Sequence, residues 1–363
     1  MFLDAASEQK FYKQIDILND EIDTSTAVIM FNNIGLNFCV GSPAKNYWEM
    51  KGVQVYDILV DHPVNYLDSI AIAFSNVNFI TIDAGHQKFM QESFPFLHNQ
   101  VFFLPHGGNN LGLMENKNRN IDILYFGACQ ENNQILPTID FMEGEEQTFY
   151  QFCYSKYMDN LYIQVDDIVD LYMQQYNKQF SYEQRLSLIA LLVMSIERKA
   201  MHDKKMKLMI SLIDAGFHVE IHGENWELLQ KEYPENIKLG EQLTPQECIE
   251  RMGQAKITLN MQPYFTEGAH ERVFNAMLNG SVCVSNRSRY LERRFQDGQD
   301  ILYIDFQNIN ETVRKIKELL ESQTLLNDMR KNAYEKVLQD TWNVRLEQIL
   351  KHDYDESLRE GNG

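Results

Sequence analysis

The chain has no apolar run long enough to cross a bilayer. Its longest, LSLIALLVMSI at residues 186–196, falls short of the roughly 20 residues a spanning helix needs and reads as a buried helix. The first residues, MFLDAASEQKFYKQIDILND, carry charge throughout and contain no apolar core of the kind a secretion signal requires. Cysteine is sparse. Cys39, Cys129, Cys153, Cys248 and Cys283 are odd in number and no two stand at C-x-x-C spacing, which excludes a disulfide framework and a structural zinc site and predicts reduced thiols in a cytoplasmic protein. Positive charge is short as well: 33 Lys and Arg face 52 Asp and Glu, for a net charge of −19. Such a surface repels nucleic-acid phosphates and anionic lipid, so no nucleic-acid partner is expected, and any anionic ligand must be held by a few local donors. There is no G-x-x-x-x-G-K-[ST], no G-x-G-x-x-G, no H-E-x-x-H and no G-x-S-x-G, which removes the sequence support for a P-loop nucleotidase, an ordinary dinucleotide dehydrogenase, a zinc peptidase and a serine hydrolase.

What is present is an alternation. Short runs, read as apolar on both faces, stand at 26–32, 55–61, 78–83 and 100–105, separated by helix-compatible sequence that includes a stretch at 8–22. That is the pattern of buried parallel strands in βα units. A polar stretch at 109–120 reads as a linker, and the alternation then restarts with strands at 121–128, 217–223, 236–240, 255–261, 281–286 and 300–305. A long helical region at 143–216 and a final one from about 309 to 353 complete the second half. With 363 residues, two domains are expected over one. The reading is an α/β chain of two Rossmann-like domains facing across a cleft: residues 1–112, then residues 113–340 with a helical insertion at 137–200, then a C-terminal helix at 341–363 expected to cross back to the first domain. In such sheets ligands bind beyond the C-terminal ends of the strands, so the residues just after each strand are the candidates.

In the first half these are Asp61-His62, Asp83 with His86, and His106-Gly107-Gly108; three successive strands end beside a histidine in a chain with nine. In the second half the richest stretch is PYFTEGAHERVFNAMLNGSVCVSN at 263–286. Gly268 permits close backbone approach, and the helix beginning near His270 offers free N–H groups and the positive end of its dipole. Arg272 in that first turn opposes the dipole, which is an argument for a phosphate contact. Glu267 and Glu271 supply carboxylates for sugar or ribose hydroxyls; the plain alternative is that Glu271 and Arg272 are ordinary solvated helix residues. After another strand, Gly223-Glu224-Asn225-Trp226 reads as a cradle for a nucleotide base, or as a turn with a packed Trp. The aromatic-rich segment Phe149–Tyr182 reads first as helix packing or a dimer contact, and oligomeric state stays open.

These residues resemble a family. ILYFGA at 123–128, HGENW, LGEQLTPQECIERMGQAKITLNM, EGAHERVFNAMLNGSVCVSN and DILYID are similar to the C-terminal domain of GT-B glycosyltransferases, closest to the spore-maturation CgeB-like branch; LVDHPVN and FFLPHGGN fit its first domain. The resemblance covers roughly 55–130 and 205–306. It implies an N-terminal acceptor domain, a C-terminal domain binding a nucleotide-diphosphate sugar, sugar transfer to an acceptor not identified, and no metal and no other cofactor. It implies donor contacts from Gly127, Gly223, Glu224, Asn225, Trp226, Glu267, Gly268, His270, Glu271, Arg272 and Asn275, with Arg272 stabilising the leaving diphosphate and His62 or Asp61 as the base. The chain departs from the family's E-x7-E, since Glu267 is matched by Asn275. Its loop GACQENNQ at 127–134 has no basic residue, which leaves phosphate charge to Arg272, Arg287 and Arg289. The rival readings are a non-catalytic GT-B-like binding or assembly module and another GT-B enzyme such as a nucleotide-sugar epimerase.

Overall fold

The computed structural model describes residues 13–17, 19–116, 118–129, 144–160, 162–262 and 265–360, with side chains as far as Lys351. The beginning of the expected insertion, at 137, and most of the loop 127–134 lie outside these residues, as does the first part of the helix expected at 8–22, of which residues 13–17 are helical. By its internal contacts the chain divides into Met1–Pro105 and His106–Gly363.

The first unit is built on strands β1 (Ala27–Phe31), β2 (Gln54–Leu59), β3 (Val77–Thr81) and β4 (Val101–Phe103). They pair in parallel in the order β1-β2-β3-β4. Because spatial order follows chain order, the winding never reverses among the described strands. Helices α1 (Tyr47–Lys51), α2 (Leu67–Ala71) and α3 (Ala84–Ser93) connect them. β2 and β3 are buried almost throughout, as expected. β1 departs from the expectation of burial on both faces: Ile29 is 38% and Phe31 42% exposed, because β1 is an edge strand with one neighbour.

The second unit carries a six-stranded parallel sheet: β5 (Ile121–Phe126), β6 (Val219–His222), β7 (Ile237–Leu239), β8 (Ala255–Asn260), β9 (Val282–Ser285) and β10 (Leu302–Tyr303). Its order is β10-β9-β8-β5-β6-β7, the doubly wound arrangement, with the reversal between β5 and β8. These ten parallel strands fall within or beside the runs of the sequence; a short antiparallel pair, Cys39–Val40 with Lys45–Asn46, lies outside them. Between β5 and β6 come α4 (Gly144–Asp159), α5 (Val165–Gln175), α6 (Tyr182–Met194) and α7 (Ile196–Asp214). Phe149, Phe152 and Tyr172 are buried there and meet edge to face, with centroids 4.7 and 5.6 Å apart, so these aromatics pack the insertion. Downstream lie α8 (Glu227–Glu232), α9 (Pro245–Met252), α10 (Glu271–Leu278), α11 (Arg289–Arg294), α12 (Ile309–Glu321), α13 (Gln323–Val337) and α14 (Trp342–Glu360). Thr244 and Glu247 form a capping box with Pro245 in the first turn, which fixes the start of α9. One face of the sheet packs on Leu208 and Leu212 of α7, Ile316 and Leu319 of α12, and Leu326 and Met329 of α13. No helix among the described residues is long and apolar enough to cross a membrane.

Residues 109–120 do not hang as a free linker. The Asn109 N–H donates to Asn275 Oδ1 at 2.7 Å and the Leu111 N–H to Asn279 Oδ1 at 2.9 Å, which ties the segment to α10. Just before it, Gly108 exchanges backbone hydrogen bonds with Asp340 O and Trp342 N. A Cβ on Gly107 would stand 2.6 Å from Trp342 N, and one on Gly108 2.7 Å from Leu278 Cδ1. The glycines of His106-Gly107-Gly108 therefore serve close packing within the second unit. The junction is closed by Asp340, which is 1% exposed and accepts from Arg294 at 2.6 and 2.7 Å and from Arg345 at 2.5 Å.

Two stability outcomes follow from these packed charges. Asp340→Ala leaves two arginines without their carboxylate and should cost about 3–5 kcal/mol; chemical denaturation reads this, and a loss below about 1 kcal/mol would show that the cluster does not hold the junction. In the first unit Asp57 is wholly buried on β2, where burial raises its pKa to about 6 although the Asn33 N–H donates to both its oxygens at 3.1 Å. A carboxyl whose folded pKa is raised favours folding only while protonated, so this contribution declines as pH rises from about 4 to about 6 and stays unfavourable above, by on the order of 3 kcal/mol. Asp57→Asn should raise the melting temperature at pH 8 and flatten its dependence across that window; an unchanged pH profile would refute the assignment.

Candidate functional site

The reversal between β5 and β8 puts the crevice of the second unit beside the loops that follow these strands. The loop after β5 is fused to the one after β6. The Gly127 N–H donates to His222 O at 3.0 Å, and the Cys129 N–H to Glu224 O at 2.8 Å. A Cβ at Gly223 would lie 2.3 Å from Gly127 O, so only glycine fits. Gly127 itself sits at φ 146°, which a side chain rarely adopts.

Trp226 corrects an expectation. It is wholly buried, meets Tyr125 edge to face at 5.9 Å, and donates its indole N–H to Gly127 O at 2.8 Å. It is a core residue that closes the two loops, with no face left for a base. Glu224 is exposed, and Asn225 occupies the left-handed region at φ 65°. The basic residue that the β5 loop lacks in sequence arrives from α7. Lys205 Nζ donates to Ala128 O at 2.7 Å and stands 5.6 Å from the centroid of Tyr125. Nothing in the local motif signalled it, because it lies 77 residues away from Ala128 in the chain.

The loop after β8 is held by amides. Asn260 Nδ2 donates to Ser285 Oγ at 2.9 Å and to Gln262 Oε1 at 3.1 Å, and Asn286 exchanges 2.8 and 3.0 Å hydrogen bonds with the Gln262 backbone. The His270 N–H reaches Gln262 Oε1 at 3.0 Å, and Gly268 O accepts from Ser288 Oγ at 2.7 Å. This network delivers the chain to the start of α10. There His270 is the cap: its Nδ1 accepts the Arg272 N–H at 3.1 Å. That bond leaves the ring proton on Nε2. Burial, then Arg272 and His106, hold the His270 pKa well below its ordinary value, so the ring is neutral. No group among the described residues takes its Nε2–H. Arg272 is half-buried and donates from Nη1 to Asn260 Oδ1 at 2.9 Å, which sets its guanidinium at the end of β8. Glu271 is half-buried beside it, with its pKa raised by burial.

The remaining expected donor contacts are engaged elsewhere. Glu267 is bound by Arg289 at 2.6 Å and Arg293 at 3.0 Å, both from α11. Arg287 faces Glu292 and Asp297, so the arginines after β9 are paired to carboxylates. Asn275 is buried, and its carbonyl serves Asn109. The insertion also reaches the strand ends: Gln164 donates to Thr266 Oγ1, and Tyr162 donates to Glu292 at 2.8 Å. Beside it lies a cavity of about 50 Å³ among Tyr157, Lys204, Gln262, Asn286 and Phe306, too small for a nucleotide.

In the first unit, Asn32 and Asn33 after β1 both take positive φ, at 51° and 59°. Asp61 Oδ2 accepts from Asn32 Nδ2 at 2.8 Å and from the Tyr66 hydroxyl at 2.9 Å, while Oδ1 has no partner among the described residues. His62 caps a short helical turn through Nδ1 and packs against His86 and Phe89, with centroids 4.6 and 4.9 Å away. It is 2% exposed, and burial followed by the nearby His86 keeps its pKa well below the usual value. A ring so resistant to protonation is poorly placed as a base, and of the two candidates Asp61 has the available atom. His106 belongs to the second unit, where its ring lies 5.7 Å from Trp342 and 6.0 Å from His270.

Among curated proteins none matches this sequence. Among solved structures the chain resembles TarM, with 14% identity, a TM-score of 0.46, and coverage of 93% of this chain and 57% of that one. It resembles the pneumococcal O-GlcNAc transferase GtfA, solved with UDP and GlcNAc, with 11% identity, a TM-score of 0.50, and coverage of 96% and 60%. It also resembles a glycosyltransferase from Rickettsia africae, with 8% identity, a TM-score of 0.50, and coverage of 99% and 84%. The chain thus spans about three-fifths of the length of TarM and of GtfA. Its parallel α/β architecture is that of the GT-B glycosyltransferases, and residues 200–351, from within α7 into α14, match the sequence model of the Glycosyl transferase-like family.

Proposed function

We propose that this chain transfers a sugar from a nucleotide-diphosphate sugar to an acceptor, as a cytoplasmic GT-B enzyme of the CgeB-like branch. The observation that carries the reading is the start of α10 at the doubly wound reversal, where Arg272 and the neutral, singly oriented His270 sit together. Transfer breaks the bond between the anomeric carbon and the diphosphate oxygen, so negative charge grows on the leaving group. Arg272 meets it with a guanidinium and the helix N-terminus with its dipole. His270 adds an Nε2–H that remains a donor at neutral pH. The GtfA structure, with UDP in its name, supports uridine as the first nucleotide to test. Asp61 is the first unit's candidate for accepting the proton of the acceptor hydroxyl.

A second reading, a binding or assembly module that keeps the fold without turnover, has its own support. Glu267 is ion-paired with two arginines, and the Asn275 side-chain oxygen accepts a backbone N–H, so these expected ribose acceptors already have protein partners. Hydrolysis or transfer assayed over a panel of nucleotide sugars separates the two. Turnover of one donor supports the enzyme, and silence across the panel with retained nucleotide binding supports the module.

Arg272→Ala should weaken donor binding or turnover by about 1.5–3 kcal/mol, the usual worth of a charged hydrogen bond. Calorimetry with UDP and steady-state kinetics on a folded variant check this, and wild-type values would overturn the placement. With charge on the diphosphate met by fixed donors, turnover should persist in excess chelator. Loss of activity restored by Mg²⁺ or Mn²⁺ would refute the metal independence proposed here.

A further inference from the structure

At the opposite end of the second sheet, where β5 and β8 begin, lies a pocket of about 400 Å³. Its wall carries Arg119 just before β5, Lys256 in β8, and Arg330 and Lys331 from α13, against one acid, Glu115. This is a local excess of cations in a chain of net charge −19. Lys256 is paired with Asp122 at 2.5 Å, but Arg119, Arg330 and Lys331 have no carboxylate within ion-pair distance among the described residues. Arg119 and Arg330 are each only 9% exposed.

The two guanidiniums hold backbone carbonyls. Arg119 donates to Gly253 O and Leu113 O, each at 2.8 Å, and to Asn279 O at 3.0 Å, and its Nε–H is buried without a partner. Arg330 donates to Gly280 O at 2.6 Å, Met114 O at 2.8 Å and Asn327 Oδ1 at 3.0 Å, which leaves one N–H on each terminal nitrogen. Carbonyls satisfy hydrogen bonds but do not neutralise charge. Two buried cations side by side cost free energy that an anion would recover. The strain is visible in Arg119, whose pKa falls to about 10 through burial and the neighbouring Arg330.

We infer that this pocket is a second, separate binding site for a phosphate dianion, free or as a phosphate monoester, held by Arg330 and Lys331 at the base of β5 and β8. Arginine and lysine N–H donors without carboxylate partners are the chemistry that phosphate oxygens require. The site is tied to the far end of α10. Asn279 O and Gly280 O, which the two arginines hold, close the helix whose first turn carries His270 and Arg272. The inference does not depend on the chain being a transferase.

The test is calorimetric titration of the full chain at low ionic strength with inorganic phosphate and, separately, with glucose 6-phosphate. Saturable binding at one site is expected. Tighter binding of the ester identifies a phosphorylated sugar as the ligand, and equal binding identifies the free ion. Lys331→Glu, an exposed position whose replacement leaves the fold intact, should weaken binding by at least about tenfold. Arg330→Lys, with its melting temperature checked, should weaken it while keeping the positive charge. In the Arg272→Ala background, where the crevice anion site is weakened, saturable phosphate binding should persist and should still be weakened by Lys331→Glu. The proposal is overturned by no saturable heat with either probe. It is equally overturned if binding survives Lys331→Glu and is lost in Arg272→Ala, which would place the ion at the crevice near β5 and β8.

Discussion

One short helix, α10, organises the second unit through its unsatisfied ends. Every α-helix leaves N–H groups free at its start and carbonyls free at its finish. Here the start is capped by His270, and the finish is held by Arg119 and Arg330. Asn275 within the helix and its C-cap Asn279 bind the segment 109–111 that leads into β5. Displacing α10 would therefore disturb the candidate site, the entry to the sheet and the cationic pocket together. The burial of Val273, Phe274, Met277 and Leu278 makes that displacement costly.

The same histidine device occurs in both units. His62 and His270 each accept a backbone N–H two residues onward through Nδ1, and each is kept neutral by its surroundings. A capping histidine has one orientation and one proton position, whereas a free one interconverts. The two differ in what remains. His62 Nε2 is sealed against His86 and Phe89, which makes it a structural cap. His270 keeps a donor at the crevice. His62 stands three residues after β2 and His270 ten residues after β8, and neither spacing records what surrounds the second ring nitrogen.

Charge follows a similar logic. The chain is strongly acidic, yet most arginines near the strand ends of the second sheet are spent on carboxylates: Arg289 and Arg293 on Glu267, and Arg294 on Asp340. Glu220 shows how tightly such groups are bound. Burial would raise its pKa, but hydrogen bonds from Arg251, Lys238 and His222 hold it down at about 2. Against this background, the half-buried Arg272 and the pair Arg119 and Arg330, which have no carboxylate within ion-pair distance among the described residues although Glu115 lies near Arg330, stand out as places where a ligand anion has something to gain.

The sequence by itself determined the alternation. Ten runs became ten parallel strands, mostly apolar because most lie inside a sheet, whereas the edge strand β1 keeps Ile29 and Phe31 exposed. It also determined the start of α9, through Thr244, Pro245 and Glu247, and the placement of Arg272 in the first turn of α10. These are local properties, written in neighbouring residues. Tertiary structure alone decided which polar residues were already occupied. Trp226 beside a glycine looks like a base platform until Tyr125 and Gly127 O are found against it. Glu267 and Asn275 look like sugar contacts until Arg289, Arg293 and Asn109 claim them. Lys205 and Arg119 find their partners across dozens of residues of chain. A hydrogen bond depends on distance in space, and no spacing along a sequence records which distant donor reaches an acceptor first.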